Sequence, residues 1–525
     1  MFNWLKQRTA GHSLVVLCII LFLTFLDNTI VSVVLANVQS SLAAGVQDLQ
    51  WIVDAYMLAF AVFMLFGGTL GDILGRKKVM LSGVSLFVVG SIISMLAGSV
   101  DILIVGRSIM GLGAAASEPG TLSMIRQLYP DSHARSRALG VWAAVSGIAL
   151  AFGPIIGGII IGFSNWQGVF AFSAIFGVVA LIAGWIYLPE SSDRQGRKLD
   201  LLGLVAGGAS ISTASVAVIV GENAGYGSPQ IITLFVLAAL FMAAFILIEL
   251  HRKDPVLPLS LFRKLHFSIA NAVAFTTNFG IFAVFFFVAL YLQFIAGFSG
   301  YKIALSFITM TAAIVLSALF AGRIYSFARA LPLVIIGALL SGSGTLILRQ
   351  IISQSVTVNE LAWSLALTGF GFGILLVTMT SSVLNIVTPK RSGMAASTVN
   401  TFRELGGVFG VAILGAIVNA QLTSGMVNKL RALNLPTNFQ AFVIYAITHG
   451  GHTPQNVHLS IAELASHAVL VNNITNAAYD AFGNGLRIAL FISGSLLLST
   501  AALSGVLYLQ KRLRRTEFLT EPEAA

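Results

Sequence analysis

The chain has 525 residues, of which 57% are hydrophobic and only 10% charged. Soluble domains carry roughly 25% charged residues, so a chain this apolar cannot clothe its own surface in water; the composition excludes a soluble globular protein and points to the bilayer as its main solvent. The formal charge of +10 does not signal nucleic acid, because the basic residues are spread by loop and not gathered in one patch.

A helix needs about 20 apolar residues to cross the hydrocarbon core. Fourteen such runs are predicted, centred near residues 25, 60, 88, 113, 150, 178, 210, 240, 280, 312, 340, 370, 408 and 498. The first begins near Ser13, behind Lys6 and Arg8, and is too long for a signal-peptide core, so it is expected to be retained. It holds Cys18, the only cysteine, and no intrachain disulfide can form. Between the second and third runs lies a charged, glycine-punctuated turn, Gly71-Asp72-Ile73-Leu74-Gly75-Arg76-Lys77-Lys78. In the fifth run, Gly153-Pro154 predicts a bend, and the glycines around it, Gly157 and Gly158 included, suit close helix contact.

Six helices end near Pro189. A charged linker from Glu190 to Asp200 follows, then two helices, then a second linker containing Asp254-Pro255-Val256-Leu257-Pro258, then six more helices. This 6+2+6 order implies two related halves with an inserted pair: residues 1–191, 192–265 and 266–510, with a tail at 511–525. Gly322-Arg323 echoes Gly75-Arg76 at the matching place in the second half. In the ninth run Phe282, Phe285, Phe286, Phe287 and Tyr291, with Asn278 and Gln293 nearby, suit a lipophilic cation or plain packing against lipid. Residues 421–485 read as the one long external loop, with a short interfacial helix from Val457 to Val471. Its histidines His449, His452, His458 and His467 lack the cysteines or dense carboxylates of a metal centre, so no metal is expected.

Lysine and arginine gather in every second loop, as in Arg76, Lys77 and Lys78, in Arg126, Arg135 and Arg137, and in Lys390 and Arg391. By the positive-inside rule these loops and both termini are cytoplasmic.

Charges inside the runs are few, and each costs about 2.5–3.5 kcal/mol to insert. At 1.5 Å per residue, Asp27 lies about 21 Å along the first helix, leaving about 9 Å to the outer face. Arg107 lies about 9 Å and Asp54 about 8 Å below that face, so the three share a layer and Asp27 pairs naturally with Arg107. Burial favours the neutral form of an acid and a nearby arginine the charged form; an acid under both pressures can be switched by moving the arginine. Asp54 lies nearer the mouth, where the alternative reading is a cap on the second helix. Glu404 lies about 18 Å into the thirteenth helix and is the second-half candidate for binding a proton or cation. Arg403 is its neighbour but projects about 100° away, so the two are not expected to face each other. Glu118 is placed about 26 Å along the fourth helix, in its cytoplasmic third, to meet substrate or to snorkel toward a basic loop.

Gly71 to Lys78 resembles the G-x-L-a-D-r-x-G-r-k-x-x loop of the major facilitator superfamily. Leu26-Asp27-Asn28-Thr29-Ile30-Val31 and Trp51-Ile52-Val53-Asp54-Ala55-Tyr56-Met57-Leu58 resemble motifs of its 14-helix drug:proton antiporter branch. So do Gly106-Arg107 through Gly111-Leu112-Gly113, Gly147 with Gly153-Pro154-Ile155-Ile156-Gly157-Gly158, and Arg403-Glu404-Leu405-Gly406-Gly407. The pattern departs at Met110, where glutamine is usual, at Asn165-Trp166-Gln167-Gly168-Val169-Phe170, and at Glu118 before Pro119. The resemblance implies an all-α integral membrane protein with a major-facilitator fold: two six-helix bundles and an inserted pair, in the bacterial cytoplasmic membrane. It implies a proton-coupled efflux antiporter of amphipathic, cationic drugs or toxic compounds, acting by alternating access, as a monomer in the bilayer, with no cofactor and no nucleic acid. Asp27, Arg107, Asp54, Glu118 and Glu404 would couple protons to substrate, Gly153, Pro154, Gly157 and Gly158 would form the antiporter motif, and Gly71, Asp72, Gly75 and Arg76 would latch a cytoplasmic gate. A dedicated exporter of one metabolite, siderophore or lipid fits the same motifs. ATP is not implied, since no G-x-x-x-x-G-K-[ST] loop is present, and no paired constellation marks a membrane enzyme.

Overall fold

The computed structural model describes the chain except residues 1, 45, 192–199, 253–254, 256, 299, 326–329, 354, 433–467 and 521–525. The long helices are α1 (Phe2–Leu42), α2 (Val46–Leu74), α3 (Arg76–Met95), α4 (Val100–Leu128), α5 (Ser132–Phe163), α6 (Gln167–Tyr187), α7 (Leu201–Ala224) and α8 (Pro229–His251). Then follow α9 (Leu265–Ala283), a π-turn over Val284–Val288 that leads into the short α10 (Ala289–Phe294), α11 (Gly300–Ile324), α12 (Ala330–Ile351), α13 (Val358–Ile386), α14 (Ser392–Ala432) and α15 (Ala468–Thr520). Among the described residues thirteen helices are long and apolar enough to cross a membrane, and a fourteenth span results if α5 counts as one, bent by 41° between Ser132–Leu150 and Ile155–Phe163. The predicted fourteen spans and the predicted bend at Gly153-Pro154 are both present.

Local signals set the helix starts. Ser99 and Asp131 cap α4 and α5, accepting from the Ile102 and Ala134 amides, and Thr357 with Glu360 closes a capping box on α13. These side chains satisfy amides that have no partner within the helix. Asp131 is a solvent-side cap, and the Ala134 amide holds its carboxyl below the usual carboxylate range.

The first six helices pack among themselves through α2, α3 and α4, with α1 against α5 and α6. The last group packs through α11, α12 and α13, with α14 against α9 and α15. The halves meet along two crossings, α2 on α14 and α5 on α11, and glycine makes both. A Cβ on Gly68 would fall 2.2 Å from the Gly393 carbonyl oxygen, and one on Gly322 would fall 2.6 Å from that of Ser136. Gly322, the counterpart of Gly75 in the sequence echo, thus stands at a backbone crossing within α11 and not in a turn.

The inserted pair lies to one side. α7 packs on α2 and α14, with Leu204 against Leu65 and Phe66. α8 presents Ile232, Val236, Leu240, Leu247 and Leu250 to the surroundings, as a lipid-facing helix should. Asp200 caps α7 through the Gly203 amide at 3.1 Å, and Arg252 at the end of α8 approaches it at 3.6 Å.

One expectation is corrected. Much of the stretch read as the external loop is helix: α14 continues to Ala432 and α15 begins at Ala468. The extensions pack on each other through Met426, Leu430 and Ala477, so their apolar faces are buried by a helix pair and not by lipid. The four histidines lie outside the described residues. Among the described residues, no group of three or more metal-ligating side chains occurs.

Candidate functional site

Among the described residues, buried charged groups of the two halves gather into two clusters and one lock. In the first cluster Arg107 of α4 donates to Asp27 of α1 and, through Nε, to the Ile52 carbonyl of α2 at 3.0 Å. Its guanidinium also lies 4.4 Å from the centre of the Tyr56 ring. Tyr56 is fixed in turn by its hydroxyl, which donates to the Thr24 carbonyl at 3.1 Å. Asp27 and Arg107 are each 1% exposed, so the predicted pair is present and dry. Asp27 Oδ1 has no hydrogen-bond partner among the described residues, which leaves one carboxylate oxygen able to take a proton or donor. Asp54, two residues beyond Ile52, is half-buried; Arg107 reaches the Ile52 carbonyl beside it.

The second cluster joins the halves. Arg403 of α14 lies 2.5 Å from Glu118 Oε1 of α4 and 3.2 Å from Glu404 Oε1. Asn400 donates to the same Glu118 oxygen at 3.2 Å. One expectation fails here. Arg403 and Glu404 do meet, because the long guanidinium stem folds back across the helix surface and overrides the 100° between their Cα–Cβ vectors. Glu118 stands about 15 Å from the end of α4 at Leu128, and Arg403 about 16 Å from the start of α14 at Ser392, so the two helices bring them to one level. In the sequence Arg403 stands out only as a member of the Arg403-Glu404-Leu405-Gly406-Gly407 motif and as the neighbour of Glu404. The signal that locates it is charge balance: two lone charges of opposite sign in apolar helices each cost less when paired.

The lock closes the bundle at the end that carries the α2–α3 turn. Asp72 accepts from the Gly393 and Met394 amides at 3.1 and 3.0 Å, so an acid of the first half caps the N-terminus of α14 in the second. Arg76 donates to Asp72 at 2.5 and 3.0 Å and to the Pro389 carbonyl at 3.2 Å. Ser123 and Ser392 hydroxyls meet at 3.0 Å, and Arg126 of α4 and Arg135 of α5 donate to Asn385 of α13. Gly75 adopts φ 116°, a conformation for glycine alone, whereas Gly71 is an ordinary helical residue whose nearest added-Cβ contact would be 3.8 Å away.

At the α5 bend, Pro154 cannot donate to the carbonyl four residues earlier. That carbonyl, Leu150, is bonded by the Thr29 hydroxyl of α1 at 3.0 Å. Gly153 makes the approach possible, since a Cβ there would lie 1.9 Å from Thr29 Oγ1. Gly157 is buried, while Gly158 is exposed and has open space around it. Of the aromatics of the ninth predicted run, Phe287 in the π-turn and Tyr291 in α10 are buried, Phe285 stacks on Phe307, and Phe286 faces outward; the Gln293 side chain lies outside the described residues.

The model of the family described as Major Facilitator Superfamily matches residues 17–411. The chain is 32% identical over 417 residues to the Methylenomycin A resistance protein of Bacillus subtilis (strain 168), covering 79% of this chain and 89% of that protein. It is 29% identical over 491 residues to the Multidrug resistance protein Stp of Mycobacterium tuberculosis (strain CDC 1551 / Oshkosh), covering 94% of this chain and 90% of that one. Among solved structures it resembles the proton:xylose symporter XylE bound to 6-bromo-6-deoxy-D-glucose, with a TM-score of 0.61 over 95% of both chains at 14% identity, a likeness of fold.

Proposed function

From the premise that this chain belongs to the Major Facilitator Superfamily, and is therefore a multi-span transporter of the cytoplasmic membrane and not an enzyme, we propose that it is a proton-coupled exporter of amphipathic, cationic drugs or toxic compounds. It works by alternating access, as a monomer, with no cofactor. The names of its relatives support drug export as the task. The observation that carries the coupling is the buried Asp27–Arg107 pair. A dry carboxylate is tolerated while its guanidinium is in place; when the helices move and Arg107 withdraws, the carboxylate must take a proton or another cation. That exchange ties proton uptake to the change of access. Asp54 lies beside this layer, Glu404 serves as the second-half acid, and the Asp72–Arg76 lock holds the cytoplasmic side shut until the halves part.

The energetics suffice. One proton crossing 100 mV yields about 2.3 kcal/mol, and one pH unit adds about 1.4 kcal/mol. Together these sustain a gradient of roughly a few hundredfold for a neutral cargo.

The test is export from proteoliposomes with an imposed pH gradient, using a fluorescent lipophilic cation. The parent protein concentrates the dye and dissipates the pH gradient as it does so. Asp27→Asn reaches only the equilibrium distribution. A variant that still drives the dye uphill overturns the assignment of Asp27, and transport of one compound alone, with no lipophilic cation moved, favours the dedicated exporter.

A further inference from the structure

In the closed form an arginine of the second half sits in a cage whose walls belong to the first half. The Arg403 guanidinium carbon lies 5.0 Å from the centre of the Phe25 ring and 5.8 Å from that of Trp142, and its NH2 lies 2.5 Å from Glu118. Phe25, Glu118 and Trp142 come from α1, α4 and α5. The two rings meet edge to face at 6.4 Å, and the indole Nε1 is held by Thr121 at 3.0 Å. The cage is therefore built within the first half and does not depend on Arg403 for its shape. Two aromatic faces and a carboxylate are the chemistry that recognises a planar organic cation.

The partners of the charges are unequal. If the halves part at this level, Arg403 keeps Glu404 on its own helix. Glu118 loses both Arg403 and Asn400, because both stand on α14. Among the described residues its second oxygen, Oε2, is buried without a hydrogen-bond partner even in the closed form. A buried carboxylate stripped of its cation is costly, so the open cage demands a replacement.

We propose that Glu118, Phe25 and Trp142 bind the cationic head of the exported compound, a planar delocalised cation, when the halves have parted, and that Arg403 re-enters the cage as they close and evicts it. Two cations cannot share the cage, so closure and release of cargo are one event. The proposal rests on the reading of the chain as an exporter of amphipathic cations.

Equilibrium dialysis of the purified full-length protein, with no gradient imposed, tests it. The probes are 5-methylphenanthridinium, a permanent planar cation, and phenanthridine, its neutral parent. The protein binds the cation about tenfold or more tighter than the neutral compound, a difference of about 1.4 kcal/mol. Glu118→Gln removes that preference. Arg403→Gln, which removes the internal competitor, binds the cation more tightly than the parent protein does. A purely structural ion pair requires weaker or unchanged binding in both variants, so the opposite signs decide. If Arg403→Gln does not elute as a folded protein, Phe25→Leu is read instead: it weakens cation binding several-fold and spares phenanthridine. No cation binding by the parent, undiminished binding by Glu118→Gln, no gain in a folded Arg403→Gln, or no selective loss in Phe25→Leu overturns the proposal. Because dialysis needs no proton gradient, failure here leaves the coupling role of Asp27 standing, and failure of the Asp27→Asn test leaves the cage standing.

Discussion

Gly71 and Gly75 are equivalent letters in the turn motif, yet the backbone treats them differently. Gly75 has φ 116° and ψ 125°, and a Cβ there would meet Glu190 Oε1 at 2.9 Å. That oxygen already accepts from the Lys77 and Ser191 amides at 3.2 and 2.9 Å, so it is not free to retreat. Strained backbone of this kind costs about 1–3 kcal/mol for a residue with a side chain. Gly75→Ala is therefore expected to lower the thermal unfolding temperature of the purified protein, while Gly71→Ala leaves it within error; an equal drop for both would remove the distinction. The sequence marks both glycines as motif members but contains no φ angle. Partners across the fold were legible to different degrees. Asp27 and Arg107 could be paired from depth and opposite charge together with the motif resemblance, since Asp54 lies at a similar level and depth alone does not choose between the two acids. Arg403 could not be assigned from its 100° projection, since side-chain reach exceeds what a helical wheel encodes.

Among the helices, length and apolarity were readable because the bilayer imposes both, and all fourteen predicted runs correspond to helical spans. Helix ends were not readable in the segment after α14, where two amphipathic extensions cover each other through Met426, Leu430 and Ala477; their periodicity was too weak to separate from a loop. The α5 bend was legible from Gly153-Pro154, but its support was not, because that lies on another helix. Thr29 supplies to Leu150 the donor that Pro154 lacks. Thr29→Val leaves a carbonyl in apolar surroundings without that donor, a loss of about 1–3 kcal/mol, and Thr29→Ser restores it. Pro154→Ala returns the backbone N–H that can bond Leu150 within α5. In that background Thr29→Val should cost less, and a thermal-stability double-mutant cycle reads the difference as a coupling energy. Additive losses would show that Thr29 matters for packing and not for the carbonyl.

At the scale of the whole molecule, the ties between halves named above, from the Glu118–Arg403 pair to the Asp72 lock, occupy the portion of the bundle toward the α2–α3 turn. A transporter that alternates must break these ties together, so the strength of each sets how often that side opens. Asp72 is the most connected of them: it holds two amides at the start of α14 and the Arg76 guanidinium. Hydrogen bonds to a charged group are worth about 1.5–3 kcal/mol each. Asp72→Asn keeps the size but removes the charge and turns one acceptor oxygen into a donor nitrogen facing amides. A loss of about 1.4 kcal/mol in the closed form raises the open population about tenfold. A reporter stands close by. Ser123 and Ser392 face each other across the seam at 3.0 Å and are buried, and Cys18 is the only native cysteine. In a Cys18→Ser background, a cysteine at position 392 should react slowly with a thiol reagent, and about tenfold faster when Asp72→Asn is added. The paired cysteines at 123 and 392 should cross-link under oxidation, stop export, and recover it on reduction. Unchanged reactivity in Asp72→Asn would move the hold on the seam to Arg126 and Arg135, which grip Asn385 from the first half.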